Sequence, residues 1–159
     1  MTEDPEQQAR DKALRTAANV LQYRQRSARA LYDRLLEKGL EPELAEYAVE
    51  RLQQLGYLND TEYGRLLVRD LSARGYGAGR IRRELREKKL EPEALEAAME
   101  EYQADPERLR RYIEGKLRGQ APDRRMLKKV SDGLFRRGFS WEEIRTALRS
   151  YADQLEDAE

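Results

Sequence analysis

The chain has 159 residues, of which 39% are hydrophobic and 39% are charged, so its apolar core must be thin and drawn out. It contains no cysteine and no histidine, which excludes disulfides, thiolate nucleophiles, Cys/His zinc sites and histidine general bases. We therefore expect neither an enzyme nor a bound metal or cofactor, and the formal net charge of zero does not by itself indicate a partner.

The N-terminal segment 1–12 is polar and acidic, unlike a signal peptide, and we expect it to be frayed. No apolar stretch approaches the roughly 20 residues that a membrane-spanning helix needs. The sequence thus predicts a cytoplasmic protein that does not bind membranes. Abundant Ala, Leu, Glu, Arg and Lys, with few β-branched residues, favour an all-α fold.

From residue 31 onward the chain repeats itself at intervals of about fifty residues. The three copies occupy residues 31–52, 81–102 and 130–151. Their apolar residues correspond in register and have helical spacing, which is interrupted near the middle of each copy. At these interruptions Gly39 and Gly138 suit helix C-caps, while Pro42 and Pro92 suit the first turn of the next helix. Each copy therefore predicts a helix, a tight turn and a second helix.

A further amphipathic segment precedes each copy, and two of these segments carry clear start signals. Asn59 or Asp60 can cap the segment before the second copy. Asp105, with Pro106 at the first helical position, can cap the segment before the third copy. Within the third copy, Ser140 begins a capping box. Every repeat unit is therefore predicted to contain three helices.

Three short helices bury too little apolar surface to be stable alone, so we expect the units to stack. The sequence predicts an all-α fold of nine helices, built from three tandem three-helix units in an elongated, curved array. The predicted segments are a frayed tail at 1–12, units at 13–58, 59–104 and 105–152, and an acidic C-terminal tail at 153–159.

The glycine-rich stretch at 74–92 resembles a phosphate-binding loop at first sight. Such a loop requires a preceding β-strand, but the residues before Gly75 have helical periodicity. The stretch also lacks the Gly-Lys-Ser/Thr ending of a P-loop and the G-x-G-x-x-G spacing of a dinucleotide site. We expect instead that Gly75 ends a helix and that Gly77 and Gly79 loosen the link to the next one.

Positive charge is concentrated in two parts of this electrically neutral chain. Nine bases and three acids lie between 65 and 89, and eleven bases and three acids lie between 108 and 137. Helical spacing predicts basic stripes composed of Arg82, Arg86 and Lys89, of Arg125, Lys129 and Arg136, and of Arg110, Arg111 and Arg118. A charged stripe is usually a solvated helix face, and that interpretation stays open. Since acidic partners at i+4 are mostly absent, however, the bases are predicted to be available to a polyanion.

The carboxylates and most aromatic side chains have structural explanations. Paired acids such as Glu142 and Glu143 stand at helix starts, where the helix dipole favours negative charge. The nine tyrosines, two phenylalanines and Trp141 are mostly expected at core positions of the repeat. Tyr76, inside the glycine link, is the exception. Its ring can pack, stack on a base or dock on a protein partner.

Several sequence blocks resemble the RecX family, which comprises bacterial regulators of the RecA recombinase. The blocks are SARALYDRLLEKG at 27–39, GYLND at 56–60 and RGYGAGRIRRELREKKL at 74–90. Together with the three-unit layout, the resemblance covers about residues 13–152. Asn59, Ala78 and Lys89 depart from the family pattern, which usually has Asp, Pro and Gly at these positions. The departures leave the fold intact but put the flexibility of the 75–79 link in question.

The resemblance implies a non-enzymatic regulator that acts in homologous recombination, DNA repair and the SOS response. It implies binding along the groove of the RecA–DNA filament and inhibition of ATP hydrolysis and strand exchange. Expected partners are the RecA filament and, within it, single- or double-stranded DNA; we expect a monomer. Two other hypotheses stay open: a DNA-binding module without a dedicated protein partner, and a purely structural helical adaptor. The predicted contact residues are Arg74, Tyr76, Arg80, Arg82, Arg83, Arg86, Lys88, Lys89, Arg110, Arg111, Arg118, Arg125, Lys129 and Arg136.

Overall fold

The computed structural model describes residues 4–158, which form nine α-helices. In chain order these are α1 (Pro5–Tyr23), α2 (Ala28–Glu37), α3 (Pro42–Gln54), α4 (Asp60–Ala73), α5 (Ala78–Glu87), α6 (Pro92–Met99), α7 (Pro106–Leu117), α8 (Arg124–Arg136) and α9 (Trp141–Asp157). Within residues 4–158 there is no β-strand, and no helix is long and apolar enough to cross a membrane. The predicted all-α fold of nine helices is confirmed.

Both chain ends are more helical than the sequence predicts. The described part of segment 1–12 is helical from Pro5, because Asp4 accepts the N–H of Glu6 at 3.2 Å and proline suits the first helical position. Residues 1–3 lie outside the described part of the chain. Helix α9 continues through most of the predicted tail to Asp157, where Leu155 still packs against the core of α7–α9.

The predicted helix starts and stops are confirmed at the turns. Gly39 and Gly138 have φ values of 93° and 103°, so each provides the left-handed residue that ends a helix. The side chain of Asn59 accepts the N–H of Glu62 at the start of α4. Asp105 caps α7, and Ser140 forms the expected capping box at the start of α9.

The chain divides into two compact units, which run through residues up to 67 with 84–99, and through 68–83 with the residues from 100 onward. In the first unit the core is formed largely by α1, α2 and α3. Its buried side chains include Ala17, Leu31, Leu35, Ala45, Ala48 and Leu52. The unit boundary passes through α4 and α5, so the bounds of the three predicted repeat units, and the curvature of their array, stay predictions.

The start of α2 is tied to two other segments of the first unit. The buried Ser27 hydroxyl donates to the carbonyl oxygen of Lys88 at 2.7 Å and accepts the N–H of Ala30 at 3.1 Å. The carboxylate of Asp60 accepts the N–H of Ala28 at 2.8 Å. Burial is the largest influence on this carboxylate and raises the pKa of Asp60 above its ordinary value. The bonds to Ala28 and Ala30 satisfy two of the amides that a helix start leaves unpaired.

The second unit has its own core between α7, α8 and α9. Its buried side chains are Leu109, Ile113, Leu117, Val130, Leu134, Ile144, Ala147 and Tyr151. The Tyr151 hydroxyl donates to the carbonyl oxygen of Gln120 at 2.8 Å, which ties α9 to the turn after α7. The exposed faces of α7 and α8 are left to carry charged side chains.

The glycine link at 75–79 is a tightly packed segment of this second unit. Gly75 ends α4 with a φ of 89°, as predicted. The N–H of Gly77 donates to the carbonyl oxygen of Arg137 at 2.7 Å, and the N–H of Gly79 donates to that of Gly138 at 3.0 Å. A Cβ atom on Gly77 would lie 2.7 Å from the carbonyl of Gly138. The expectation that Gly77 and Gly79 loosen the link is therefore wrong, because they are needed for close backbone approach.

Candidate polyanion-binding surface

Five predicted basic side chains on α7, at its C-cap and on α8 are exposed. They are Arg111, Arg118, Arg125, Lys129 and Arg136, which we call the α7–α8 cations. Within residues 4–158 none of the five forms an ion pair with a carboxylate. Asp132, the acid in the middle of the α8 stripe, pairs with Lys128 at 2.9 Å instead. The α7–α8 cations therefore carry uncompensated positive charge, as a polyanion-binding surface requires.

Two other predicted contact residues are engaged in ion pairs along their own helices. Arg74 lies 3.0 Å from Asp70, and Arg110 lies 2.7 Å from Glu107. These two bases therefore have acidic partners, on α4 and α7 respectively, and their contact with a polyanion stays a prediction. Both pairs include strongly exposed carboxylates, and such pairs contribute only about 0–1 kcal/mol because water screens them. They reduce the local positive charge without holding the helices together.

Lys89 does not belong to the α5 stripe. Helix α5 ends at Glu87, and Lys89 follows in the turn with a φ of 63°. This is the left-handed position that Gly39 occupies in the first repeat copy. Its ammonium group pairs with the Asp33 carboxylate at 2.6 Å, and this hydrogen bond is the main reason why the pKa of Asp33 is lowered. The predicted role of Lys89 in a basic stripe is therefore replaced by a turn position and an ion pair.

Helix α5 carries the other predicted bases of the middle repeat. Arg83 and Arg86 are exposed on it, and Lys88 follows it in a half-buried position. Arg80 and Arg82 are half-buried, and each has an interaction partner. Helix α5 thus presents Arg86 of the predicted stripe to solvent, while Arg82 is half-buried.

Arg108 and Arg137, which the sequence does not single out, stabilise the end of α4. The guanidinium of Arg108 donates to the carbonyl oxygens of Ser72, at 2.6 Å, and of Ala73. The guanidinium of Arg137 donates to the carbonyl oxygen of Arg74 at 3.0 Å. The last carbonyls of a helix carry partial negative charge, so cations are favourable there. Two bases of the 108–137 segment are therefore structural.

Tyr76 is half-buried and packs against two guanidinium groups, while its contact with a base or a protein partner stays a prediction. The guanidinium groups of Arg80 and Arg137 lie 4.6 Å and 5.2 Å from its ring centroid. Arg137 also lies 5.6 Å from the ring centroid of Tyr112. Cation–π contacts of this kind contribute roughly 0.5–2 kcal/mol each. Tyr76 thus belongs to the same cluster that holds Arg137 against the end of α4.

Phe135 and Trp141, like Tyr23 and Tyr57, are exposed and so are exceptions to the expectation that the aromatic residues mostly lie in the core. Their rings stack with centroids 4.6 Å apart and an interplanar angle of 10°. Phe135 is 49% exposed and Trp141 is 45% exposed. A signal was present in the repeat alignment, because Trp141 stands where the other two copies have Pro42 and Pro92. A position that proline fills at a helix start has no need of a large apolar ring.

The chemistry offered by these surfaces is positive charge and aromatic stacking. Within residues 4–158 no group of three or more carboxylates could hold a metal ion. The tyrosines whose pKa is raised, Tyr63 and Tyr102, owe the shift mainly to burial within their units. Neither tyrosine lies on α7 or α8, the helices of the α7–α8 cations.

Family models match most of the chain in three consecutive segments. The first, second and third three-helix domains of RecX match residues 9–52, 59–99 and 103–148, respectively. Similar curated proteins bear the name Regulatory protein RecX. One from Xanthomonas oryzae pv. oryzae is 38% identical over 135 residues, which cover 84% of this chain and 84% of that protein. One from Stenotrophomonas maltophilia is 35% identical over 135 residues, covering 84% and 83%.

Two solved structures share the fold. The crystal structure of RecX from Lactobacillus salivarius has a TM-score of 0.82 at 21% identity, covering 91% of this chain and 97% of that one. The crystal structure of a regulatory protein RecX has a TM-score of 0.75 at 24% identity, covering 93% of this chain and 79% of that one. At these identities the likeness shows the tandem helical fold alone.

Proposed function

The chain belongs to the RecX family of regulatory proteins, and we propose that it regulates the RecA recombinase by binding the groove of the RecA–DNA filament. In this proposal, binding suppresses ATP hydrolysis and strand exchange during recombination and repair. The protein acts by occupying a surface, so it needs no catalytic group of its own.

The α7–α8 cations are the observation that supports this proposal most directly. They are exposed, lack acidic partners within residues 4–158 and, apart from Arg118 at the C-cap of α7, lie on helices whose other faces are held in a core. A filament built on DNA presents phosphates, and fixed cations bind phosphates by releasing counterions. Arg83, Arg86 and Lys88 extend the proposal to α5 and the turn after it, while Arg74, Lys89 and Arg110 contribute less because each has an acidic partner.

The test is an ATPase assay of RecA on single-stranded DNA with the purified protein added at increasing ratios. We expect suppression by the wild-type chain and weaker suppression by Arg125→Ala with Lys129→Ala, which removes two uncompensated cations from α8. Arg34→Ala with Arg51→Ala is the matched control, because it removes two exposed positive charges from α2 and α3 that have partners on their own helices. Equal inhibition by the two double variants would exclude a role of Arg125 and Lys129 in inhibition. An ATPase rate that the wild-type chain leaves unchanged would refute the proposal.

The same cations also favour a second candidate function, which is direct DNA binding without a dedicated protein partner. In that case affinity for naked DNA should fall with salt at a logarithmic slope near −0.9 per phosphate neutralised on duplex, or about −0.7 on single strands. The protein would then displace any DNA-bound competitor. Displacement of RecA alone, with weak binding to naked DNA, favours the filament as the target.

A further inference from the structure

The stacked pair of Phe135 and Trp141 is an unusual surface for a helix–turn–helix segment. Large aromatic side chains normally bury 150–250 Å² each in a core or an interface. Here both rings remain nearly half exposed although they lie against each other. In the other two copies of the repeat, the corresponding positions hold Leu36 and Pro42, and Arg86 and Pro92. The pair is therefore specific to the third copy and is not required by the repeat fold.

The backbone around the two rings is held firmly. Trp141 is the first residue of α9, directly after the capping box of Ser140. Phe135 lies in the last turn of α8. Between them, the carbonyls of Arg137 and Gly138 accept the hydrogen bonds from Gly77 and Gly79 described above. The two rings thus project from a turn that is already ordered. A ligand that stacks on them would therefore bind without the entropy cost of ordering this backbone.

Positive charge lies beside Phe135, one of the two rings of this pair. A shallow groove beside Phe135 is lined by Arg80, Arg83 and Arg136, all in the same compact unit. The groove contains one carboxylate, Glu143, whose oxygen accepts the N–H of Ser140 in the capping box. Arg80 is engaged with Tyr76. The charge of the other two guanidinium groups, on Arg83 and Arg136, against one engaged carboxylate makes the groove complementary to an anionic ligand.

An exposed aromatic surface beside cations matches the chemistry of unpaired nucleotides. Bases offer flat faces that stack on aromatic rings whatever the base, and the neighbouring phosphates bind the cations. Bases inside a duplex are stacked on each other, so their faces are not accessible to the protein. We propose that Phe135 and Trp141 form a stacking platform for unpaired bases of single-stranded DNA, with Arg83 and Arg136 binding the adjacent phosphates. This proposal rests on the proposed function, because it assigns a site for the DNA component of the target.

Trp141 is the only tryptophan of the chain, so its fluorescence reports on the platform alone. The first experiment titrates the full chain, without RecA, with an oligonucleotide of about 12 thymidines at low salt. We expect saturable quenching of the tryptophan emission. An abasic oligonucleotide of the same length has the same phosphates but no bases, and it should leave the emission nearly unchanged. Equal quenching by both would overturn the proposal in favour of phosphate binding only.

The second experiment measures binding of a fluorescently labelled thymidine oligonucleotide to variants by anisotropy. Phe135→Leu and Trp141→Leu should each lower the affinity about 5- to 150-fold, the range known for losing one base–aromatic stack. The salt dependence should be unchanged, because the phosphate contacts remain. Tyr57→Leu is the matched control, since Tyr57 is 75% exposed in the other compact unit and should not affect binding. A loss of less than twofold in both platform variants would refute the stacking role.

Arg83→Ala with Arg136→Ala separates charge from stacking. It should reduce the salt slope by about 0.7 for each phosphate contact removed, while thymidine oligonucleotide still quenches Trp141 at saturation. Melting curves of every variant show whether the fold is retained.

A third measurement adds RecA without DNA. A change in Trp141 emission on adding RecA, combined with no response to thymidine oligonucleotide, would show that the platform binds a protein side chain and would overturn the proposal. Because the stacking assays contain no RecA, their failure leaves the ATPase test of the proposed function unaffected, and the two proposals can fail separately.

Discussion

Replacing Gly77 by alanine tests whether the glycine link is packed or loose. The added Cβ would lie 2.7 Å from the carbonyl carbon and oxygen of Gly138 and 2.8 Å from the amide nitrogen of Phe139. All three are backbone atoms, so no flexible side chain can move aside. Forced overpacking costs roughly 1–3 kcal/mol. Disturbing the 2.7 Å hydrogen bond from Gly77 to Arg137 adds about 1 kcal/mol. We expect the free energy of unfolding to fall by about 2–4 kcal/mol.

A loose link predicts a change of opposite sign. Alanine in a flexible segment reduces the entropy of the unfolded chain and stabilises a protein by about 0.4–1 kcal/mol. Urea unfolding of the full chain, followed by circular dichroism, distinguishes the two outcomes. Gly115→Ala is the matched control, because Gly115 lies inside α7 with no atom within 4 Å of an added Cβ. This control should gain about 0.5–1 kcal/mol. A Gly77→Ala variant as stable as wild type would refute the packed contact.

Three further predictions concern stability. Lys89→Gly should be about 1–2 kcal/mol more stable than Lys89→Ala in urea unfolding, because both lose the Asp33 ion pair and only glycine adopts a φ of 63° without steric cost; equal values would contradict the left-handed turn. Because burial raises the pKa of Asp60 above 3.8, its contribution to stability decreases as pH rises through the folded-state pKa. Asp60→Asn should therefore be at least as stable as wild type at neutral pH, and its free energy of unfolding should depend less on pH just above 3.8. A steeper pH dependence in the variant would contradict a raised pKa of Asp60. Arg137→Lys should lower the free energy of unfolding by about 1–2 kcal/mol, since lysine cannot replace a guanidinium that both donates to carbonyls and stacks; Arg125→Lys, on an exposed face, should leave the melting temperature unchanged.

The repeat explains why so much of the fold could be predicted. A core position such as Leu35 recurs as Leu85 and Leu134, and all three are fully buried in the structure. Helix starts at Asn59 and Asp105 follow from side chains that accept the amide N–H three residues further on. These rules act within about one helical turn, so a single sequence is enough to apply them.

The candidate site was predictable only in part, because the availability of a basic side chain to a ligand depends on residues that are distant in the sequence. Helical spacing correctly places Arg125 and Lys129 on an exposed face of α8. The same spacing cannot reveal that Lys89 meets Asp33, which lies 56 positions earlier in the chain. The predicted α5 stripe ending at Lys89 failed because α5 ends at Glu87 and Lys89 lies in the following turn, where it pairs with Asp33.

The sequence by itself determined the nine helices, their caps and the tandem arrangement, because propensity, capping and apolar periodicity are local properties. The tertiary structure alone decided which side chains remain free. Folding brings Arg137 onto the carbonyl end of α4 and Gly77 against Gly138, contacts that join residues about sixty positions apart. It also packs residues 77–79 against the backbone of the turn between α8 and α9, which leaves the stacked rings of Phe135 and Trp141 nearly half exposed.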